Sequence, residues 1–453
     1  MRLQGWLAAV AALVMGGSVL AQDANAAVPA MDITSMKGQA TIEISGNVGI
    51  VAQTNRVKGL DAWVSAAPFY TGKVLNGESW NITEFQAAKM DLTFKVSANE
   101  NAYLVTTLAL NDSWNRDYDQ DYLLKEVYFV FDNLWCSGLG VKFGKQALPF
   151  GYDKDELFVH PYLDGYGNSA LTKAFNGRFY APVTGVTGLL TGDGLLFGEM
   201  HPTTVDRTFA ITPYYKLGDK LEFAFSLAQG ERGIQGAPHN KSRDNLLFKT
   251  MAAQVFWTPV ENLILQASAM TMYDRDGKNP PAWLKTALDL TGNSLKNRSY
   301  ATSLSADYTF QIACRPFNVF AEWMHGWNTY NIGSLGYSTV GGYWNNSSSD
   351  DIHVGISYKF TDALKVLTQG EWLRQRQGID LSTYGDVKLR ETLWRWVLAA
   401  QYEMDSGMVF EAGYQYERAR EKGTLNWASP AWAPSARDRA SANTFFAGVH
   451  WSF

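Results

Sequence analysis

The sequence predicts an all-β protein, a transmembrane antiparallel β-barrel with short periplasmic turns and long extracellular loops. Apolar residues recur at every second position in segments of roughly ten residues, which is the pattern of strands with one apolar face. Short and long polar connections alternate between these segments. The chain contains 16 Trp, 22 Tyr and 24 Phe, yet its mean hydropathy is only −0.19. Many aromatic residues in a chain that is polar on average indicate strands with lipid on one side and water on the other.

The last predicted strand shows the alternation most clearly. Phe445, Val449, Trp451 and Phe453 share one face, and Gly448, His450 and Ser452 share the other. A strand that ends in an aromatic residue resembles the signal read by the barrel-assembly machinery of the outer membrane. We therefore predict that these four apolar residues form an assembly signal and contact membrane lipid, with lipopolysaccharide as a further partner.

The number of strands depends on one segment. Counting gives eighteen strands, with sixteen as the alternative, because the glycine-rich stretch 175–201 reads either as two strands or as one irregular strand. The polar stretches predicted as long loops are 54–81, 147–174, 230–246, 273–298, 327–350, 375–389 and 419–440.

The N-terminus reads as an export signal. Arg2 precedes an uncharged apolar stretch that ends in small residues, with possible cleavage after residue 21 or residue 26. The predicted domains are therefore a signal peptide at 1–21 or 1–26, a short periplasmic segment at 27–38 and a single barrel at 39–453. This order predicts the outer membrane of a Gram-negative cell.

Several function classes are poorly supported by the sequence. The formal net charge of −5 gives no reason to expect nucleic acid. G-x-S-x-G and H-E-x-x-H motifs are missing, so no enzyme, cofactor or metal site is predicted. The acids of the DYDQD segment, Asp117, Asp119 and Asp121, fit a solvated loop better than a weak calcium site.

The two cysteines, Cys136 and Cys314, fall in short turns after the fourth and twelfth predicted strands. These turns stand almost opposite each other on the barrel. Because a disulfide requires Cα atoms within about 7 Å, no bond between the two cysteines is predicted.

Charged residues between the apolar positions are predicted to face the lumen. Both signs occur, which predicts modest ion selectivity, although a salt bridge with a neighbour is the commoner role for any single charge. The predicted lumen-lining residues are Glu126, Lys142, Arg178, Glu322, Lys359, Lys365, Glu371, Arg395 and Glu411. Further inner-face charges are predicted at Glu43, Asp91, Lys95, Glu222 and Asp307.

The third long loop, 147–174, is rich in aromatic residues, glycine and proline. A loop of this length can fold into the barrel and narrow the pore, or it can pack outward on neighbouring loops. The inward arrangement predicts a constriction formed by Asp153, Lys154, Asp155, Glu156 and Asp164.

The segments KEVYFVF (125–131) and LGVKFGKQALPFG (139–151) resemble a hairpin of the phosphate-selective porin (O/P-like) group. Val141, Gly144, Lys145, Pro149 and Phe150 match its pattern of residues that lead into the third loop. The resemblance implies a channel that forms a homotrimer and is constricted by that loop. The ladder of arginine and lysine that gives such porins their phosphate selectivity is not evident, so anion selectivity does not carry over.

The predicted function is that of a non-enzymatic porin through which small hydrophilic solutes or ions diffuse. Two alternatives remain open. One is a receptor without a plug domain for a specific ligand such as a siderophore, and the other is a barrel that sheathes a periplasmic partner.

Overall fold

The structure is a computed structural model that describes most of the predicted barrel. It covers residues 41–60, 78–109, 124–135, 137–151, 208–228, 250–274, 297–327, 348–381, 385–427 and 435–453. The predicted signal peptide and periplasmic segment lie outside these residues. No helix in the described part of the chain is long and apolar enough to cross a membrane.

The described chain forms a closed antiparallel barrel in which each strand pairs with its neighbours in sequence and β1 pairs with β16. Its strands are β1 (Thr41–Leu60), β2 (Glu78–Asn99), β3 (Ala102–Ala109), β4 (Leu124–Leu134), β5 (Leu139–Gln146), β6 (Thr208–Leu217), β7 (Leu221–Ala228), β8 (Thr250–Trp257), β9 (Leu263–Asp274), β10 (Asn297–Ile312), β11 (Arg315–Trp327), β12 (Ser348–Lys359), β13 (Leu364–Leu381), β14 (Gly385–Glu403), β15 (Met408–Trp427) and β16 (Ser435–Ser452).

The barrel has sixteen strands, which confirms the alternative count and shows that eighteen was wrong. The error lies between β5 and β6, where the glycine-rich stretch 175–201 was read as two strands. β5 pairs directly with β6 from Leu139↔Tyr215 to Gln146↔Thr208. Because the two strands share a complete ladder of hydrogen bonds, no further strand can stand between them.

Side chains alternate between a buried inner face and an apolar outer face. On β14, Leu398 and Trp396 are about two-fifths exposed on the outside, whereas Val397 and Ala399 are buried inside. The same alternation on β16 places Phe445 and Trp451 outside and Phe446 and His450 inside. Since successive residues of a strand point to opposite faces, one register assignment fixes the direction of every side chain.

One end of the barrel carries the short turns together with both ends of the barrel chain. The turn between β10 and β11 consists of Ala313 and Cys314 alone, both with positive φ, as in the tight type I′ hairpin. Cys314 is an exposed free thiol that follows the tenth strand and not the twelfth. Cys136 lies outside the described residues.

At the opposite end, four adjacent strands are longer than the sequence predicted. β13 continues to Leu381 and β14 begins at Gly385, within the predicted loop 375–389. β15 continues to Trp427 and β16 begins at Ser435, within the predicted loop 419–440. These segments were read as loops because they are polar on both faces, but a strand outside an apolar layer is also polar on both faces.

The outer face of β14 leads to a test of the membrane-facing surface. Leu398 lies midway between Trp394 and Tyr402, which are both exposed on the same face. If these aromatic residues mark the two edges of the lipid layer, Leu398 faces its centre. Leu398→Arg should lower the free energy of unfolding by about 2–4 kcal/mol, measured by denaturant titration in phospholipid vesicles. Met404→Arg, in a short turn, is the control and should change stability little.

Candidate functional site

The barrel interior is covered by protein atoms along much of its wall. A ring of sixteen strands tilted by ~40° has a backbone diameter of about 32 Å, which is wide enough for an aqueous channel. Nevertheless, inner-face residues from β8 to β16 are buried, among them Thr250, Ser303 and His353 at no more than 1% exposure. These side chains are therefore covered by other protein atoms.

A continuous row of polar side chains crosses the inner face of seven neighbouring strands, β9 to β15. We call it the inner polar row. Its members are directly paired across the strands and all are buried: Gln266, Ser305, Glu322, His353, Glu371, Arg395 and Glu417.

An arginine between two glutamates forms the strongest electrostatic feature of this row. Arg395 Nη1 donates to Glu371 Oε2 at 3.0 Å, and Arg395 Nε donates to Glu417 Oε1 at 2.9 Å. The side chains of all three residues are 5% exposed or less. At such buried positions each charge needs a hydrogen-bonded partner of opposite charge, because desolvating an unpaired ion costs several kcal/mol.

The other end of the row packs against aromatic residues. Glu322 Oε1 accepts a hydrogen bond from Ser303 Oγ at 2.7 Å. The Phe320 ring stands edge-on to the His353 ring, with 4.7 Å between the centroids. Phe320 fits there because Gly355 has no side chain, and a Cβ at Gly355 would lie only 2.0 Å from the Phe320 ring.

The inner faces of β2 to β5 are more open than the inner polar row. The Lys95 ammonium lies 3.1 Å from Glu43 Oε2, and their side chains are 39% and 63% exposed. Lys125 pairs with Asp91 at 2.8 Å and is also partly exposed. Each of these two pairs joins charges of opposite sign, which weakens the field around it.

The chain that leaves β5 turns toward the barrel interior. Gly144 has φ of +138°, and a Cβ there would lie 2.2 Å from the Val127 carbonyl oxygen, so only glycine allows this approach to β4. Lys145 does not line the inner wall, since its ammonium donates to the Leu124 carbonyl at 2.6 Å. The Gln146 amide donates to the Ala210 carbonyl of β6 at 3.1 Å, which ties the end of β5 to its neighbour.

The next residues reach the inner face of β8 and β9, beyond the two intervening strands. Gln254 Nε2 donates to the Gly151 carbonyl at 2.9 Å, and the Gly151 N–H donates to Ser268 Oγ at 3.0 Å. Leu148 and Phe150 pack on a buried cluster formed by Ala252, Met270 and Ala301. The first part of the third loop is thus held inside the barrel by both hydrogen bonds and apolar contacts.

The described part of the predicted set falls into separate groups. Glu322, Glu371 and Arg395 belong to the inner polar row. Lys359, Lys365 and Glu411 lie in a second inner row nearer the turns, in which Lys359 stands opposite Lys365 in the strand register. In this row the Gln401 amide donates a hydrogen bond to Glu411 Oε2 at 2.6 Å.

The remaining described members lie apart from these rows. Lys142 stands 5.5 Å from the centroid of the Tyr214 ring, and Glu126 is half-buried on β4. Arg178 and the predicted constriction residues Asp153, Lys154, Asp155, Glu156 and Asp164 lie outside the described residues. In the terminal strand, Phe445, Trp451 and Phe453 are exposed, and Val449 pairs with the outward Ile50 of β1.

Sequence reasoning missed four members of the inner polar row, because only charged inner-face residues were considered and Gln266 and Ser305 are uncharged. Glu417 has the same strand parity as Glu411 and lies just before the predicted loop 419–440, so alternation could have found it. His353 alternates with outward Ile352 and Val354 and could have been found by that signal. Among the described residues, no group of three His, Cys, Asp or Glu side chains could hold a metal ion. Asp117, Asp119 and Asp121 are not in the described ranges.

Similarity of this chain to known proteins is found among solved structures at low sequence identity. No family model and no curated protein sequence matches the chain. Among solved structures, the outer membrane channel DcaP of Acinetobacter baumannii is 11% identical, with 92% of this chain and 98% of that chain covered and a TM-score of 0.49.

Two further structures are similar at the same level. The anion-selective porin from Comamonas acidovorans is 11% identical over 92% of this chain and 100% of that chain, with a TM-score of 0.47. OmpT, an outer membrane protein of Vibrio cholerae, is 15% identical over 91% of this chain and 98% of that chain, with a TM-score of 0.42. At these values the fold and the site rest on the strand pairing and contacts of this chain itself.

The buried Glu371–Arg395–Glu417 group gives a prediction about stability. Arg395→Met leaves two carboxylates buried without their shared cation, so it should lower the free energy of unfolding by about 3–5 kcal/mol. The triple variant Glu371→Gln, Arg395→Met and Glu417→Gln carries no charge there and should recover most of that loss. Denaturant unfolding in vesicles measures both. A triple variant as unstable as Arg395→Met would show that packing, and not charge, controls this position.

Proposed function

We propose that this protein is a porin of the Gram-negative outer membrane, through which small hydrophilic solutes and ions diffuse passively. The single observation that carries the proposal is the combination of an apolar, lipid-compatible outer face with a polar, charged inner face on one closed barrel. In hydrocarbon, a closed barrel leaves no strand edge unpaired, so such a surface suits a bilayer and its lumen suits water.

We propose further that the third loop narrows the lumen. The anchoring of Gly151 to Gln254 and Ser268 supports this, because it directs the chain into the barrel immediately after β5. On this proposal, Asp153, Lys154, Asp155, Glu156 and Asp164 supply the constriction, and solutes pass along the more exposed inner faces of β2 to β5.

The remaining parts of the proposal concern assembly. Residues 1–21 or 1–26 act as the signal peptide, 27–38 as a periplasmic segment, and the outward aromatic residues of β16 as the signal for the barrel-assembly machinery. A homotrimer is proposed on the resemblance of the β4–β5 hairpin to phosphate-selective porins. Transport by diffusion requires neither catalysis nor a cofactor.

Single-channel recording of the purified protein in planar bilayers tests the pore. Discrete conductance steps are expected, with only a small reversal potential in a salt gradient because the inner face carries charges of both signs. The absence of any steps from protein that is shown to be folded would contradict the porin proposal. It would favour a ligand-specific receptor or a sheath for a periplasmic partner.

The two bonds to Gly151 predict how the loop controls conductance. Gln254→Ala combined with Ser268→Ala removes both side chains that hold Gly151, so single-channel conductance should rise and fluctuate more. Ser226→Ala is the matched control, since Ser226 is equally buried on the inner wall but accepts from Thr212 Oγ1 at 3.0 Å instead. Equal conductance in the wild type and the double variant would show that Gly151 does not anchor a constriction.

Cys314 provides a test of orientation. Its turn should face the periplasm, so a polyethylene-glycol maleimide too large for the pore should label it only after the outer membrane of the cells is permeabilised. Ser435→Cys, made together with Cys136→Ser and Cys314→Ser, is the control at the opposite end and should be labelled on intact cells. Labelling of the natural cysteines on intact cells would reverse the proposed orientation.

A further inference from the structure

The inner polar row contains a histidine that is flanked by carboxylates. His353 of β12 is 1% exposed and stands directly opposite Glu322 of β11 and Glu371 of β13. Asp351, two residues earlier on the same strand, is also buried on the inner face. Because histidine changes its charge between about pH 5 and 8, His353 is the member of the row whose charge can vary near neutral pH.

Arg395 shows how a cation serves this row. It lies between Glu371 and Glu417 and donates a hydrogen bond to each of them. A protonated His353 occupies the equivalent place between Glu322 and Glu371. The row then alternates in sign across five neighbouring strands, β11 to β15. Opposite charges that face each other across strands stabilise a sheet, whereas like charges destabilise it.

The strands around β12 supply further charges near the His353 ring. Asp307 of β10 stands opposite Phe320, the residue whose ring contacts His353, and it accepts a hydrogen bond from Asn318. The described charged groups on the inner face around His353 are Asp307, Glu322, Asp351, Glu371 and, beyond Glu371, Arg395. Since four of these five groups are carboxylates, a proton on His353 alters the balance of charge in this part of the wall.

One of these carboxylates is linked to the residues that hold the third loop. We call the two hydrogen bonds of Gly151, to Gln254 and Ser268, the Gly151 anchor. Ser268 stands directly opposite Ser303 of β10. The Ser303 hydroxyl donates to Glu322 Oε1 at 2.7 Å. Ser303 therefore connects the carboxylate opposite His353 with the side chain that accepts the Gly151 N–H.

A second contact joins the same three strands. Ser305 of β10 stands opposite Glu322 and donates to Gln266 Oε1 of β9 at 2.8 Å. Gln266 precedes Ser268 by two residues on the same face of β9. A displacement of Glu322 thus reaches β9 through two neighbouring hydroxyl groups, those of Ser303 and Ser305.

We propose that His353 makes the Gly151 anchor sensitive to pH. When the imidazole is protonated, the charges alternate, Glu322 stays against Ser303, and Ser268 keeps its bond to Gly151. When the imidazole is neutral, two buried carboxylates face an uncharged ring, which favours entry of water because ions without an adjacent counter-charge are costly to bury. Glu322 then turns away from Ser303 and the anchor loosens. This inference rests on the proposed inward course of the third loop and adds regulation to it.

Single-channel recording of the full protein from about pH 5 to pH 8 tests the proposal. In the wild type, the ratio of dwell times in high- and low-conductance levels should rise about tenfold over this range, a coupling of about 1.4 kcal/mol. His353→Gln keeps a polar side chain that never gains a charge, so it should behave at every pH as the wild type does near pH 8. Ser303→Ala keeps His353 but removes the bond to Glu322, so it should lose most of the pH dependence.

His450→Gln is the matched control. His450 is 2% exposed on the inner face of β16, but its cross-strand neighbours, Val409 and Gly49, carry no charge. This variant should keep the pH dependence of the wild type. The proposal is overturned if the wild type shows no pH dependence, if His353→Gln retains it, or if His450→Gln loses it. If His353→Gln does not fold, Ser303→Ala decides the question by the same measurement.

Hydrogen exchange at Gly151 separates this inference from the pore itself. Mass spectrometry of the peptide that contains Gly151 measures how often the anchor opens, after correction for the intrinsic pH dependence of exchange. Protection should fall between pH 5 and 8 in the wild type and in His450→Gln, and it should be low throughout in His353→Gln. This pattern in a protein that never conducts would refute the pore and retain the pH-sensitive anchor. Conductance with equal protection of Gly151 at both pH values would retain the pore and overturn the inference.

Discussion

Closure of the barrel by β1 and β16 is the constraint on which the rest of the structure depends. The two strands pair from Asn47↔Ser452 to Lys58↔Ser441, and Gly46 and Phe453 exchange backbone hydrogen bonds of 2.9 and 3.1 Å. Without this pairing, both strands would present free N–H and C=O groups, each costing several kcal/mol in hydrocarbon. Because the ring is closed, every residue of every strand belongs either to the inside or to the outside.

Closure creates an interior too wide for the wall side chains to fill alone. The exposure of the inner wall differs between the two sides of the barrel. Between β8 and β16 the wall is buried, and Arg395 has two glutamate partners there, whereas Glu322 and Glu411 accept hydrogen bonds from neutral side chains. Between β2 and β5 the wall is partly accessible. A lumen that is packed on one side and accessible on the other is narrower than its strand number implies, and the inward course of the chain to Gly151 is consistent with this.

The outer surface follows from the same alternation, but its chemistry changes along the strands. Near the middle of β14 the outer face is apolar at Leu398 and aromatic at Trp394 and Trp396, and on the neighbouring β15 it becomes basic at the exposed Arg420. The inner face of the same strand is mixed, because Arg395 and Gln401 are polar whereas Val397 and Ala399 are apolar. The outward-facing residues, which recur at every second position, therefore form three successive layers along the strands: an apolar layer, an aromatic layer and a charged layer.

The sequence by itself determined the fold class and the face of each residue within a strand, because alternation is a local property. Phe445, Val449 and Trp451 could be assigned to the outside without any partner. Only the tertiary structure decided which strands are neighbours. Direct pairing of β5 with β6 set the number of strands at sixteen, and the register of β13 to β15 placed Arg395 between Glu371 and Glu417. Register depends on contacts between distant segments, and polar residues such as Arg420 read alike in a loop and in a strand beyond the lipid. For that reason the extended strands and the inner polar row could not be derived from local pattern alone.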